Sequence, residues 1–186
     1  YRAGMKPFDV ELFNNNTIDP IKLLLDKSIY QKDWQTIISD EVFRQRDKGN
    51  NNSIGYFHQN IFRYIEHCEV PLAGWDVIYR NPDGVDIGDG TIVSTIYVEM
   101  KNKHNTMNSA SAAKTYSKAQ RQLLEDDSCA CFLVEAIAKR SQNVPWSVSV
   151  DGKHQSHKLI RRVSMDQFFK IVTGDAFAFW KVCKAL

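Results

Sequence analysis

Two strand-like runs, a helix-like run and a third strand-like run follow one another between residues 74 and 138. That order constrains the fold more than any other feature of the chain. "GWDVIYR" (74–80) and "TIVSTIYVEM" (91–100) are rich in β-branched and aromatic residues, which fit a pleated, half-buried surface. The stretch between them, "NPDGVDIGDG", is dense in turn residues and reads as a hairpin, or as two neighbouring strands with a long turn. "SASAAKTYSKAQRQLLED" (109–126) is alanine-rich and helical, with Ala113, Tyr116, Gln120, Leu123 and Leu124 near one face. "CACFLVEAIA" (129–138) reads as a buried strand. "WSVSV" and "KLIRRVS" are shorter strand candidates. Ser164 is placed to cap "MDQFFKIVTG", and Asp175 to start a last helix.

Helices come before this block. In "TIDPIKLLLDKSIY", Asp19 is a capping residue and Pro20 suits the first helical position. Trp34, Ile37, Ile38 and Val42 then recur at helical spacing. "DKGNNNS" (47–53) reads as a break, with Ser53 capping a third helix striped by Ile54, Phe57, Ile61, Phe62 and Ile65. The expected fold is mixed α/β, a central β-sheet flanked by helices. At 186 residues the chain is sized for a single domain. That domain would comprise a helical part at 1–66, a sheet core at 71–163 and C-terminal helices at 164–186. The chain begins at Tyr1 rather than Met and stops at Leu186 within a helix-like pattern, which reads as a fragment or as missing ends.

Composition narrows the class only a little. Hydrophobic residues make up 43% and charged residues 25%, as in ordinary globular proteins. No run of about 18 apolar residues offers a membrane span, and no signal peptide is visible. A net charge of +2 does not announce nucleic acid, since a basic groove can hide in a near-neutral total. Cys68, Cys129, Cys131 and Cys183 have no paired metal spacing and read as reduced thiols of a cytoplasmic protein. "HQSH", with His154 and His157, is a weak zinc signal, because a structural site wants four ligands.

The chemistry concentrates in "YVEMKNKHNTMNS" (97–109), where an apolar strand ends in charged and hydrogen-bonding residues. Side chains alternate along a strand, so Glu99 and Lys101 share one face, with Val93, Thr95 and Tyr97 further back on the same side. One aspartate on an adjacent strand would complete a metal site; Asp76 and Asp83 are both available. Hard carboxylate oxygens suit Mg²⁺, which keeps several waters and takes its remaining ligands from phosphate. A neighbouring lysine positions the attacking water and stabilises charge on a phosphoryl transition state. The arrangement is suited to phosphodiester hydrolysis.

An Asp 15 to 22 residues ahead of Glu-x-Lys, followed by a helix and a strand, resembles the PD-(D/E)xK nuclease superfamily. The longer strings "VEMKNKHNTMNS", "SIGYFHQNIF" and "SMDQFFKIVTGD" are more specific. They resemble the type II restriction endonucleases that recognise GGNCC, the SinI type, from about residue 50 to the end. The resemblance implies a restriction-endonuclease-like fold and a homodimeric, Mg²⁺-dependent prokaryotic enzyme that cuts both strands of double-stranded DNA at a short palindrome. Its metal aspartate belongs at the start of a strand with apolar flanks, which favours Asp76 over Asp83 and Asp86. Trp75 stands there where the written motif has Pro. Antiparallel pairing of 75–80 with 95–101 across a turn near 87 would set Asp76 opposite Glu99. On this reading Asp76 and Glu99 hold metal and Lys101 positions the nucleophilic water.

The run after Lys101 then reads as a DNA-contacting segment. Lys103 and His104 face phosphates; Asn105, Asn108 and Ser109 face base edges or backbone, with Ser109 also a candidate helix cap. Lys114 and Lys118 share a helix face. Gln59 and His58 are candidates for the metal site or the DNA. Guanine needs donors such as Lys103, Lys114, Lys153, Lys158, Arg161 and Arg162. Two rival readings use the same fold: a repair or recombination nuclease acting on branched or damaged DNA, and a non-catalytic DNA-binding module.

Overall fold

The computed structural model describes residues 9–150 and 152–186. The chain divides into two compact units, Tyr1–Phe57 and His58–Leu186. The first holds α1 (Val10–Asn15), α2 (Pro20–Ser28) and most of α3 (Trp34–Asn60). Asp19 caps α2 as expected. Its side chain accepts from the backbone N–H groups of Ile21 (2.9 Å) and Lys22 (3.3 Å), with Pro20 at the first helical position.

The break expected at 47–53 does not occur, because α3 runs through it. Ser53 is no cap; its hydroxyl donates to the Gly49 carbonyl at 3.1 Å. Asn51 Nδ2 donates to Asp47 Oδ2 at 2.9 Å. Both polar side chains bond one turn back along the helix instead of competing with it from a turn. Low propensity, at most about 1 kcal/mol for the glycine, is a weak signal that surroundings override.

The second unit is built on a six-stranded mixed sheet ordered β1-β2-β3-β4-β6-β5. The strands are β1 (Cys68–Glu69), β2 (Val77–Asp86), β3 (Ile92–Lys103), β4 (Cys129–Ile137), β5 (Asn143–Val150) and β6 (Lys153–Ser164). Strands β3, β4 and β6 are parallel; β1–β2, β2–β3 and β5–β6 are antiparallel. The mixed α/β architecture with helices on both faces is the expected one. One face carries α4 (Ser109–Glu125), whose Tyr116 and Ala119 pack with Trp75, Cys131, Leu133, Trp146 and Ile160. The other carries α5 (Met165–Thr173) and α6 (Ala178–Ala185), where Phe168 and Phe169 pack with Phe62, Val77, Val98 and Phe132. Strand β4 is covered on both faces, so it reads as a continuous apolar run. Leu124, expected near the same face of α4 as Tyr116, is exposed while Tyr116 is buried.

The β2–β3 hairpin differs in detail from expectation. The Pro82-Asp83-Gly84 segment is not its turn but an excursion within β2, where the register shifts between Arg80 and Val85. Asn81 holds that excursion, accepting from the Asp83 N–H and donating to the Gly84 carbonyl. Gly84 has φ +82°, and a Cβ there would sit 2.5 Å from Ile92 Cγ2, so the position demands glycine. The turn lies at 87–91, close to the expected position, with the Ile87 N–H donating to the Thr91 carbonyl at 3.0 Å. Asp86 Oδ1 accepts from the N–H groups of Gly88 (2.7 Å) and Gly90 (2.9 Å). Alternation also fails at the start of β3, where Val93 packs with Ile96 and Val98 on the α5 face rather than with Tyr97.

Candidate active site

The chain enters β2 through Gly74, at φ +96°, and Trp75, whose indole is 9% exposed. Asp76 follows. Its N–H donates to the Val98 carbonyl at 2.9 Å, and its Oδ2 accepts from the Met100 N–H at 2.7 Å. The ladder pairs Val77 with Val98 and Ile78 with Tyr97. The ladder ends at Val77–Val98, and the two Asp76 bonds to Val98 and Met100 hold it beside the Glu99 segment of β3. By the same register Asp86 pairs with Ile92, at the far end of the hairpin, and Asp83 lies in the excursion.

Glu99 and Lys101 project from β3 on the α4 face. Lys101 Nζ donates to Glu99 Oε1 at 2.8 Å. Lys118, from the middle of α4, donates to Glu99 Oε2 at 2.9 Å and to the Gly74 carbonyl at 2.8 Å. Its ammonium lies 3.9 Å from the centre of the Trp75 ring. Trp75 Nε1 in turn donates to Gln122 Oε1 at 2.9 Å. The two carboxylates respond differently to this setting. Burial pushes the Asp76 carboxyl above its usual range, and neighbouring Glu99 adds to that, against the lowering pull of the Met100 N–H. Burial acts the same way on Glu99, but its hydrogen bonds from Lys101 and Lys118 outweigh it and hold the carboxyl below the ordinary range.

Two half-buried carboxylates with hard oxygen donors fit a Mg²⁺-type ion that completes its shell from water and phosphate. Among the described residues no three His, Cys, Asp or Glu side chains converge on one point, so two carboxylates are the side-chain contribution such an ion would find. The weak zinc signal gains no partner there either: His154 and His157 are both exposed.

Beside this pair lies a second polar cluster. Register places Glu135 of β4 next to Lys101. Glu135 is 2% exposed, and Arg162 donates to its Oε1 through Nε at 3.0 Å and through Nη2. His104 Nδ1 lies 3.1 Å from Glu135 Oε2 and 2.8 Å from Arg162 Nη2. The cluster floors a groove of about 270 Å³ lined by Lys101, Asn105, Asn108, Ser109, Trp146 and Arg162 among others.

The sequence-derived DNA-contact residues divide sharply. Lys103, Asn105 and Lys114 are exposed, with Asn105 in the left-handed region at φ +57°. Asn108, not Ser109, caps α4, its side chain accepting from the Ser111 N–H at 2.8 Å; Ser109 is the first helical residue. Lys118 is drawn in to Glu99 while Lys114 stays outside. Gln59 and His58 are half-buried near the end of α3. Arg161 is 3% exposed and each guanidinium nitrogen donates within the fold: Nε to Asn143 Oδ1, Nη1 to Asp89 Oδ2 and the Lys158 carbonyl, Nη2 to the Asn143 carbonyl. That places it as a staple between the hairpin turn and β5. The residues missed from sequence are Glu135, visible only as a lone carboxylate in an apolar strand, and Trp75 with Gln122, which have no local signal.

Across residues 1–186 the chain matches a family model described as Eco47II restriction endonuclease. It is 30% identical over 187 residues to the type II restriction enzyme Sau96I of Staphylococcus aureus, covering 96% of this chain and 68% of that protein. It is 28% identical over 192 residues to the type II restriction enzyme Eco47II of Escherichia coli, covering 94% and 72%.

Proposed function

Since the chain belongs to the Eco47II restriction endonuclease family, we propose that it is a type II enzyme of the SinI type in the PD-(D/E)xK superfamily. It cuts double-stranded DNA at GGNCC in a Mg²⁺-dependent reaction, as a homodimer, with residues 1–186 acting as one nuclease domain. The observation that supports the reading is the end of the β2–β3 ladder at Val77–Val98, where Asp76 accepts from the Met100 N–H and Lys101 is bonded to Glu99. Asp76 and Glu99 hold the ion. The ion, when bound, neutralises charge on the scissile phosphate. Lys101, anchored by Glu99, turns its remaining donors to the attacking water and to a phosphate oxygen. Half-burial of both carboxylates keeps bulk water from competing. Lys103, Asn105 and Lys114, exposed around the same strand end and helix, supply backbone and base contacts. Digesting a plasmid of known sequence with Mg²⁺ and mapping the ends tests the reading: discrete fragments with ends at GGNCC support it. A smear means an unspecific nuclease, and a retained gel shift without cutting means a binding module.

Two further results are expected. Asp76→Asn loses Mg²⁺-dependent cleavage as severely as loss of Glu99, whereas Asp83→Asn changes stability by only ~1 kcal/mol and leaves cleavage intact. Parallel digests and urea melts of the two variants read this, and the reverse pattern would move the metal aspartate to Asp83. For assembly, a palindromic site is matched most simply by a two-fold dimer with one site on each strand. Sedimentation with a short GGNCC duplex should find two chains per duplex, and affinity should fall steeply with salt as phosphate contacts release counterions. A single chain that cuts both strands in one encounter contradicts the dimer.

A further inference from the structure

The strand lysine alone accounts for one oxygen of Glu99. The other is taken by Lys118, which reaches across from α4. The same ammonium binds the Gly74 carbonyl and lies over the Trp75 ring. Gln122, one turn further along α4, holds the Trp75 indole N–H. The helix thus grips the two residues ahead of Asp76 at two points, and one of those points is also a bond to Glu99.

The charges in this arrangement balance without any ion. With both ionised, Asp76 and Glu99 bring two negative charges; Lys101 and Lys118 bring two positive ones. A divalent cation arriving at the pair must compete with Lys118 for Glu99 Oε2 and adds positive charge to a neutral, half-buried site. A DNA phosphate at the same place supplies negative charge and gives the displaced ammonium a new partner.

We propose that Lys118 is a resident counter-charge that keeps the Asp76–Glu99 pair closed to divalent cations until DNA is bound. Lys118 is on this reading a positioning residue, acting through Glu99 and the Gly74–Asp76 segment. The inference rests on the metal-site reading above and adds to it an order of events: DNA first, cation second.

The test counts free Mn²⁺ by its electron paramagnetic resonance signal over the full chain without DNA. Lys118→Met keeps the length of the side chain over Trp75 and removes the charge. It should bind Mn²⁺ at least tenfold more tightly than the unaltered protein. Lys118→Arg, which keeps the charge, should bind as weakly as the unaltered protein. Adding an uncleavable GGNCC duplex should tighten Mn²⁺ binding of the unaltered protein far more than that of Lys118→Met. If Lys118→Met fails to fold, judged by thermal melting, Lys118→Gln takes its place. Affinity of the neutral variant within twofold of the unaltered protein, or weaker, overturns the proposal. Glu99→Gln separates the two readings. If it abolishes Mn²⁺ binding while Lys118→Met changes nothing, only the Lys118 role falls. If it binds Mn²⁺ like the unaltered protein, the metal site itself is misassigned and the proposal falls with it.

Discussion

Glu99→Gln should lower Mg²⁺-dependent cleavage by on the order of 10³-fold while leaving the duplex gel shift in metal-free buffer nearly unchanged. The amide keeps the volume and the β3 backbone is untouched, so the sheet and the groove survive. An anionic ligand is lost from the pair with Asp76, and with it the anchor of both Lys101 and Lys118. Lys101→Ala should fail in the same assay by a different route: the carboxylates stay, but no ammonium orients the attacking water. Single-turnover digestion of an end-labelled duplex reads both variants. Cleavage by either at close to the unaltered rate would mean that this strand end is not the reacting site.

Arg162→Ala should give the largest loss of stability of any change near the groove, about 3–5 kcal/mol. Glu135 is 2% exposed, and Arg162 makes two bonds to its Oε1, so removing the guanidinium leaves a buried carboxylate with His104 as its remaining partner. The double change Glu135→Leu with Arg162→Leu should recover most of that loss, because no charge is then stranded. Lys103→Ala, exposed at the end of β3, should cost less than about 0.5 kcal/mol. Urea midpoints at constant slope measure all three. An Arg162→Ala midpoint indistinguishable from that of Lys103→Ala would show that the buried carboxylate does not depend on its arginine.

What the sequence disclosed was governed by distance along the chain. The Asp19–Pro20 cap and the β2–β3 pairing are local, and short-range residue patterns report local structure well. The dense turn residues of "NPDGVDIGDG" mark the hairpin, while the preference for Asp76 rests on the family resemblance. Adjacent residues with opposite fates were harder. Arg161 and Arg162 look alike in "KLIRRVS", yet alternation sends Arg161 to Asn143 and Asp89 and Arg162 to Glu135. The partner decides each role, and those partners lie 18, 72 and 27 residues away. Lys118 shares a helix face with Lys114 and reads like it as a DNA-contact candidate, but its ammonium answers a carboxylate on another element. Ser53 and Ser109 were read as caps from residue type alone, whereas a cap also needs the chain to stop being helical, which is a property of the surroundings.

The position of α4 between β3 and β4 also sets when the parts of this site meet. The β2–β3 hairpin closes over a few residues, an event of roughly microseconds in isolated hairpins. Strand β4 lies parallel to β3 and joins it only after the α4 crossover has returned, and its other neighbour, β6, comes later still. Closing such non-local pairings is the slow part of folding. A refolding chain is therefore expected to bring Asp76 and Glu99 together before Lys118 reaches them. Pulse-labelled hydrogen exchange would see this as amides of 77–98 protected ahead of those of 112–119. During that interval Glu99 lacks its bond from the helix lysine. Divalent cations present in the refolding buffer would meet the two acids first, so the ion content of that buffer becomes a variable of the folding reaction.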